Sequence, residues 1–181
     1  MIIFQSLYFM LPAYIANMAP VFAQRFGILK FLAKPVDGGR VFRGQKIFGE
    51  HKTWRGFFVG VAAAILVAWL QSYLYLIPVF KGFSLINYSK TNFLFLGFLF
   101  GFGALFGDLV KSFFKRRAGF APGAPWVPFD QIDFVFSVLV FISPIFIPSW
   151  RVILTIILIT PLLHILTNRI GFLLKIKSTK W

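Results

Sequence analysis

Long uncharged apolar runs alternate with short polar stretches along the whole chain, and run length decides how they are read. Residues 1–24, 56–80, 91–107, 134–150 and 152–168 contain no Asp, Glu, Lys or Arg and run for 24, 25, 17, 17 and 17 residues. A helix that crosses a bilayer needs about 20 apolar residues, with a working range of roughly 17–25. The pattern therefore predicts five transmembrane helices, near 2–24, 54–80, 91–108, 131–148 and 151–170, with larger polar loops at 25–53 and 109–130. The expected fold is an all-α, multi-pass integral membrane protein forming one membrane-embedded unit over residues 1–181. The first run lacks a basic flank and carries Pro12 and Pro20, which favours a retained helix over a cleaved signal peptide. The last two spans are joined only by Pro148-Ser149-Trp150-Arg151, the link of an antiparallel helix hairpin.

Composition agrees. Hydrophobic residues make up 59% of the chain, well above the ~45–50% of soluble domains, and mean hydropathy is +0.81. Charge then sets an expected orientation. Of 19 Lys and Arg, eight lie in 25–55, four in 111–117 and four in 169–180, all on one side of a five-span arrangement. Only Lys81, Lys90 and Arg151 fall on the other. By the positive-inside rule the N-terminus lies outside and the C-terminus in the cytoplasm. The net charge of +14 is thereby accounted for by topology and anionic lipid, not by nucleic acid. Cysteine is absent, which excludes disulfides, thiolate metal sites and cysteine nucleophiles.

The five acidic residues carry the chemical information. Asp37, Glu50, Asp108, Asp130 and Asp133 all lie in the two cytoplasmic loops or at their junctions with helices, among Lys, Arg and Gly. If the third helix continues past its apolar run, Asp108, Lys111, Ser112 and Lys115 share one face. Asp130 and Asp133 likewise share a face at the start of the fourth span. Each has a structural reading: Asp130 as a cap, Asp133 as first-turn charge, Asp108 as the partner of Lys111 or Lys115. Taken together, ionisable groups gathered at one membrane face point to a divalent metal site. Three Asp without His or Cys suit Mg²⁺, which binds through one or two carboxylates and takes other ligands from substrate phosphates. The neighbouring cations would hold the remaining phosphate oxygens.

Other motifs are weaker. Residues 44–53, GQKIFGEHKT, have Glu50 and His51 inserted where a P-loop needs Lys-Thr, and no hydrophobic strand precedes them. Asp130-x-x-Asp133 has no second acidic cluster of the prenyl-diphosphate type. His164 reads as a packed helix residue. Gly97, Gly101, Gly103 and Gly107 form two GxxxG spacings, read first as helix packing, although such faces would also permit a homodimer.

With these residues in place, the chain resembles the CDP-archaeol synthase family, archaeal relatives of the phosphatidate cytidylyltransferases. The resemblance runs from PVDGGRVFRGQKIFGEHKTWRG at 35–56 to GDLVKSFFKRRAGFAPGAPWVPFDQIDF at 107–134, and departs from the family pattern at Glu50-His51. It implies transfer of CMP from CTP to an isoprenoid glycerol-phosphate lipid, 2,3-di-O-geranylgeranylglycerol 1-phosphate, with Mg²⁺ as cofactor and pyrophosphate as co-product, in the cell membrane with the active site facing the cytoplasm. The implied roles are Mg²⁺ ligation by Asp108, Asp130 and Asp133, and phosphate contacts by Lys111, Lys115, Ser112 and Arg116. Lys52, Thr53 and Arg55 would form a second phosphate grip, and Asp37 is a nucleotide contact or a turn residue. Arg117, Lys175, Lys177 and Lys180 read as dispensable membrane-surface charge. The rival enzyme is a CTP-dependent polyprenol kinase, which would release CDP. A transporter would require charge at mid-span, which the uncharged runs lack.

Overall fold

The computed structural model describes residues 1–121 and 124–176; Lys177 and Lys180 lie outside the described residues. The elements are α1 (Ile2–Arg25), a 3₁₀ turn (Lys30–Leu32), a hairpin of β1 (Val41–Phe42) and β2 (Gln45–Lys46), α2 (Trp54–Leu74), α3 (Pro78–Phe83), α4 (Phe93–Arg117), α5 (Phe129–Ile142) and α6 (Trp150–Leu173). Among the described residues, α1, α2, α4 and α6 are long and apolar enough to cross a membrane.

Helix ends differ from the predicted spans where proline or capping overrides hydropathy. The second run is helical only to Leu74; Pro78 then starts a separate short helix, its fixed φ suited to a first helical position. The third run does not stop at Asp108. It continues to Arg117, closed by basic residues that favour a helix C-terminus. The fourth is helical for only 14 residues, to Ile142, because Pro144 has no N–H to give to Val140 O, which accepts from the Ser143 hydroxyl instead. At about 1.5 Å per residue, α5 alone falls short of the ~30 Å hydrocarbon core.

α4 is the central helix. Half of its most apolar window is buried, against 17% in α6, and α1, α2 and α5 all pack on it. Its glycines make this possible. A Cβ on Gly97 or Gly101 would lie 2.6 or 2.8 Å from the α2 backbone at Ile65 or Val61. A Cβ on Gly103 or Gly107 would instead meet α5, at 3.1 Å from Val138 Cα and 2.8 Å from Ser137 Cβ. Both GxxxG faces are thus used within the chain, so neither is left for the homodimer contact they could have served.

The prolines of α1 pose a different problem. Pro12 has no N–H to give to the Tyr8 carbonyl one turn earlier, and in an apolar bundle that oxygen must find another donor. Gln71 Nε2 donates to Tyr8 O at 2.6 Å, while Gln71 Oε1 accepts from the Tyr88 hydroxyl at 2.7 Å. Gln71 is 2% exposed, so both ends of its amide are matched out of water. At Pro20 the freed carbonyl is that of Ala16, and Gly60 of α2 approaches it so closely that a Cβ would lie 2.7 Å away.

Gln71→Leu should leave Tyr8 O and the Tyr88 hydroxyl unpaired and cost about 1–3 kcal/mol. The readout is a lower Tm in detergent, with Leu66→Ala on the exposed face of α2 shifting it much less.

Candidate active site

The chain between α1 and α2 is folded back on itself at its base. Val36 N–H donates to Lys52 O at 2.8 Å and Trp54 N–H to Lys34 O at 3.0 Å. At its tip, Arg43 and Gly44, with φ of 52° and 77°, make the two-residue turn between β1 and β2. Asp37 organises the interior of this loop by accepting from Gly39 N–H and Phe48 N–H, each at 2.9 Å. Burial, the largest single influence, raises its pKa, but the backbone donors together outweigh it and hold the carboxyl below its ordinary value. Its stabilising contribution is therefore complete above the usual carboxylate range and is lost as pH falls through the depressed value. These are the contacts that the turn reading of Asp37 expected.

Arg117 departs from the reading as surface charge. Its Nη1 donates to Ile47 O at 2.8 Å and Lys46 O at 3.2 Å, and its guanidinium lies 3.8 Å over the Phe113 ring. The last turn of α4 thus clamps the hairpin loop. A basic run after an apolar helix looks alike whether its members face lipid or bind backbone carbonyls, so sequence alone could not single out this arginine.

The folded-back loop delivers Lys52 and Thr53 to the end of the bundle. Thr53 is the N-cap of α2, its hydroxyl accepting from Gly56 N–H at 3.2 Å, and this fixes the first turn that carries Arg55. Lys52 is ion-paired with Asp108 of α4. Lys111, one turn on, has its Nζ 3.0 Å from Asp108, 3.1 Å from Asp133 and 3.4 Å from Asp130. Lys115, one further turn along, pairs with Asp130 at 2.8 Å. Asp130 also accepts from Trp126 N–H at 2.6 Å, which ties the α4–α5 connection to the cluster. Three aspartates from two segments of the chain thus stand around a single ammonium group.

A cavity of about 440 Å³ opens beside this cluster. Asp108, Lys111, Asp130, Asp133, Lys52, Thr53 and Arg55 all line it. Lys115 and Ser112 are buried behind it in α4, and Arg116 instead donates to Ala121 O at 3.2 Å. Sequence reasoning missed the wall that α1 and α6 supply, where Asn17, Gln24 and His164 face the same space. An amide or imidazole within an apolar run was the available signal, but it fits a packed helix residue equally well.

Two atoms bear on ligand chemistry. Arg55 Nε and Asp133 Oδ2 are buried and make no hydrogen bond, although Lys111 Nζ lies 3.1 Å from the latter. The contact is an ion pair. Among the described residues no three His, Cys, Asp or Glu side chains are already drawn around one ion position. The aspartates surround Lys111 at distances about 1 Å longer than a Mg–O bond. The donor set nevertheless fits Mg²⁺: oxygens only, one of them buried without a hydrogen bond, beside a cavity with room for the metal's waters and for phosphate.

A bundle of apolar helices with a charged, half-open pocket at one end fits a membrane-embedded enzyme. The sequence model of the CarS-like family, described as CDP-archaeol synthase, matches residues 1–181, and the chain belongs to that family. It is 41% identical over 179 residues to the CDP-archaeol synthase of Thermococcus gammatolerans, covering 98% of this chain and 96% of that one. It is 38% identical to that of Methanosarcina mazei, covering 95% and 100%. A solved structure described as an intramembrane enzyme for archaeal membrane lipids biosynthesis aligns with a TM-score of 0.67 and 30% identity, covering 90% of this chain and 91% of that chain.

The seam between α4 and α5 sets the spacing of the aspartates. In Gly107→Ala the new methyl would lie 2.9 Å from Asp133 O and 3.0 Å from Phe134 Cα, forcing α5 outward. Turnover should fall about tenfold or more, since small misplacements at a reacting centre cost up to ~10²-fold. Gly82→Ala, where nothing lies within 4 Å, should leave turnover unchanged in the same assay.

Proposed function

We propose that this protein transfers CMP from CTP to 2,3-di-O-geranylgeranylglycerol 1-phosphate, releasing pyrophosphate, at the cytoplasmic face of the cell membrane with Mg²⁺ as cofactor. The observation that carries the reading is the meeting of Asp108, Asp130 and Asp133 with Lys52, Arg55 and Lys111 on one cavity. The family supplies the nucleotide and the lipid class; the residues supply the reason such a reaction can run here.

The attacking group is a phosphate monoester, whose second pKa is about 6, so it is already mostly a dianion near neutral pH. No general base is required. Attack forms a bond between a monoester oxygen and the α-phosphorus of CTP, and the bond from that phosphorus to the bridging oxygen of the β-phosphate breaks. The obstacle is bringing two anions together. Lys52 and Arg55, delivered by the loop and the first turn of α2, hold phosphate oxygens from one side, and Lys111 does so from the other. Arg55 Nε, buried without a protein acceptor, suits a phosphate oxygen. Asp108, Asp130 and Asp133 are the residues that would hold Mg²⁺. Bound there, the metal supplies charge neutralisation for the two reactants and for departing pyrophosphate. Lys115 orients Asp130, and Asp37 shapes the loop that presents Lys52. Ser112 and Arg116, set back from the cavity, complete the packing of α4. The isoprenoid chains enter from the bilayer between the helices.

The test is purified protein with CTP labelled at the α- or the γ-phosphate, Mg²⁺, and either the lipid phosphate or a polyprenol as acceptor. The α-label should appear in lipid and the γ-label in pyrophosphate; a γ-label in lipid with release of CDP would establish the kinase instead. EDTA should stop transfer and excess Mg²⁺ restore it. Asp130→Asn and Asp133→Asn should each lower turnover by about a hundredfold or more in protein that still elutes as a folded species. Undiminished rates in both would remove the aspartates from the chemistry.

A further inference from the structure

The site contains a positive charge where a metal ion is expected. Lys111 Nζ lies within 3.4 Å of three different carboxylates, and an ammonium group has three N–H bonds to offer them. Lys52 pairs with Asp108 and Lys115 with Asp130, so three carboxylates face three ammonium groups and the cluster is neutral. A divalent cation added to that arrangement would leave it strongly positive, with Lys111 pressed against the ion. One cation must yield.

We infer that Lys111 is a resident stand-in for the divalent cation: its ammonium group holds the three aspartates together until the ion arrives, and ion binding displaces it into the cavity toward the nucleotide phosphates. The inference rests on the cytidylyltransferase reading of the cavity. Lys111 can make this move because its own side chain lines the cavity, whereas Lys115 does not. Lys52 also lines it but touches only Asp108, whereas Lys111 touches all three carboxylates, so its departure relieves a contact at each of them. The exchange also accounts for the separations. The carboxylates stand at ammonium distance from a common centre, and closing by about 1 Å brings them to Mg²⁺ distance. Lys111 is thus a positioning residue before the ion binds and a phosphate ligand afterwards. Asp133, whose ion pair among the described residues is with Lys111, need not stand unpaired in an apolar bundle between turnovers.

The exchange is tested by Mn²⁺ binding followed by electron paramagnetic resonance, without nucleotide, in wild type, Lys111→Gln, Lys111→Arg and Lys115→Gln. Removing the competing charge should lower the Mn²⁺ Kd of Lys111→Gln by about tenfold or more. Lys115→Gln, which removes a contact to a single carboxylate, should change it much less. Lys111→Arg, whose guanidinium offers five donors, should bind Mn²⁺ more weakly than wild type, and it keeps the test decisive if Lys111→Gln does not fold. Thermal unfolding adds a second readout: Lys111→Gln should be less stable than wild type in EDTA and gain more from Mn²⁺. Equal affinities in wild type and Lys111 variants, or equal effects of Lys111→Gln and Lys115→Gln, would overturn the exchange. If that result came with wild-type CMP transfer intact, the inference would fail and the proposed function stand. Loss of both Mn²⁺ binding and CMP transfer in wild type would remove both.

Discussion

Three carboxylates within reach of one ammonium group, at the end of a bundle otherwise built of hydrocarbon, are the constraint that the remaining structure serves. Charges withdrawn from water are tolerated only when opposite charges and hydrogen bonds match them closely. Here Lys52, Lys111 and Lys115 provide the match, from a loop and from two successive turns of one helix. The geometry leaves little slack. Asp108 lies on α4, Asp130 and Asp133 on α5, and the two helices meet across the bare backbone of Gly103 and Gly107. Glycine acts here through closeness of approach. It brings the α5 backbone near enough for side chains only three atoms long to share a partner.

The same economy governs the rest of the bundle. α2 sits against Gly97 and Gly101 on another side of α4, which places its capped N-terminus, with Thr53 and Arg55, beside Asp108. The hairpin loop has few buried apolar contacts of its own. Its shape comes from polar ties instead: a backbone ladder at its base, Asp37 in its interior and Arg117 reaching across from α4. Where α1 loses backbone hydrogen bonds at Pro12, a glutamine from α2 replaces one of them. The helices are therefore joined by specific polar contacts as well as by packing, as a lipid environment demands, since lipid offers little hydrophobic drive for helix association.

Much of this was legible in the chain. The apolar runs identified the helices, and the confinement of acidic residues to two segments pointed to the candidate site, because both patterns follow from the cost of charge in hydrocarbon. The shared face of Asp108, Lys111 and Lys115 followed from helical spacing once α4 continued past its apolar run. Helix ends were less legible. Proline chemistry at Pro78 and Pro144 cut two predicted spans short, while basic residues let α4 extend. Least legible were roles that depend on a distant partner. Nothing local distinguishes Arg117 as a clamp from a lysine at the lipid surface, or Asn17 and His164 on a cavity wall from polar residues inside a helix. Gln71 belongs to the same group, since its task is defined by a proline 59 positions earlier.

α6 carries the opposite kind of surface. Leu154, Leu158, Leu162, Leu166 and Ile170 recur every four residues and are 45–67% exposed, a stripe turned outward along the length of the helix. Much of their surface meets nothing of this protein, so size and shape there can drift with little effect on the interior. At the glycine seams of α4 even one added carbon collides with backbone. Change is thus channelled by the architecture. Adaptation to a thicker, thinner or stiffer bilayer is open through the outward stripe, while the seam of α4 with α2 and α5 has almost no room to evolve.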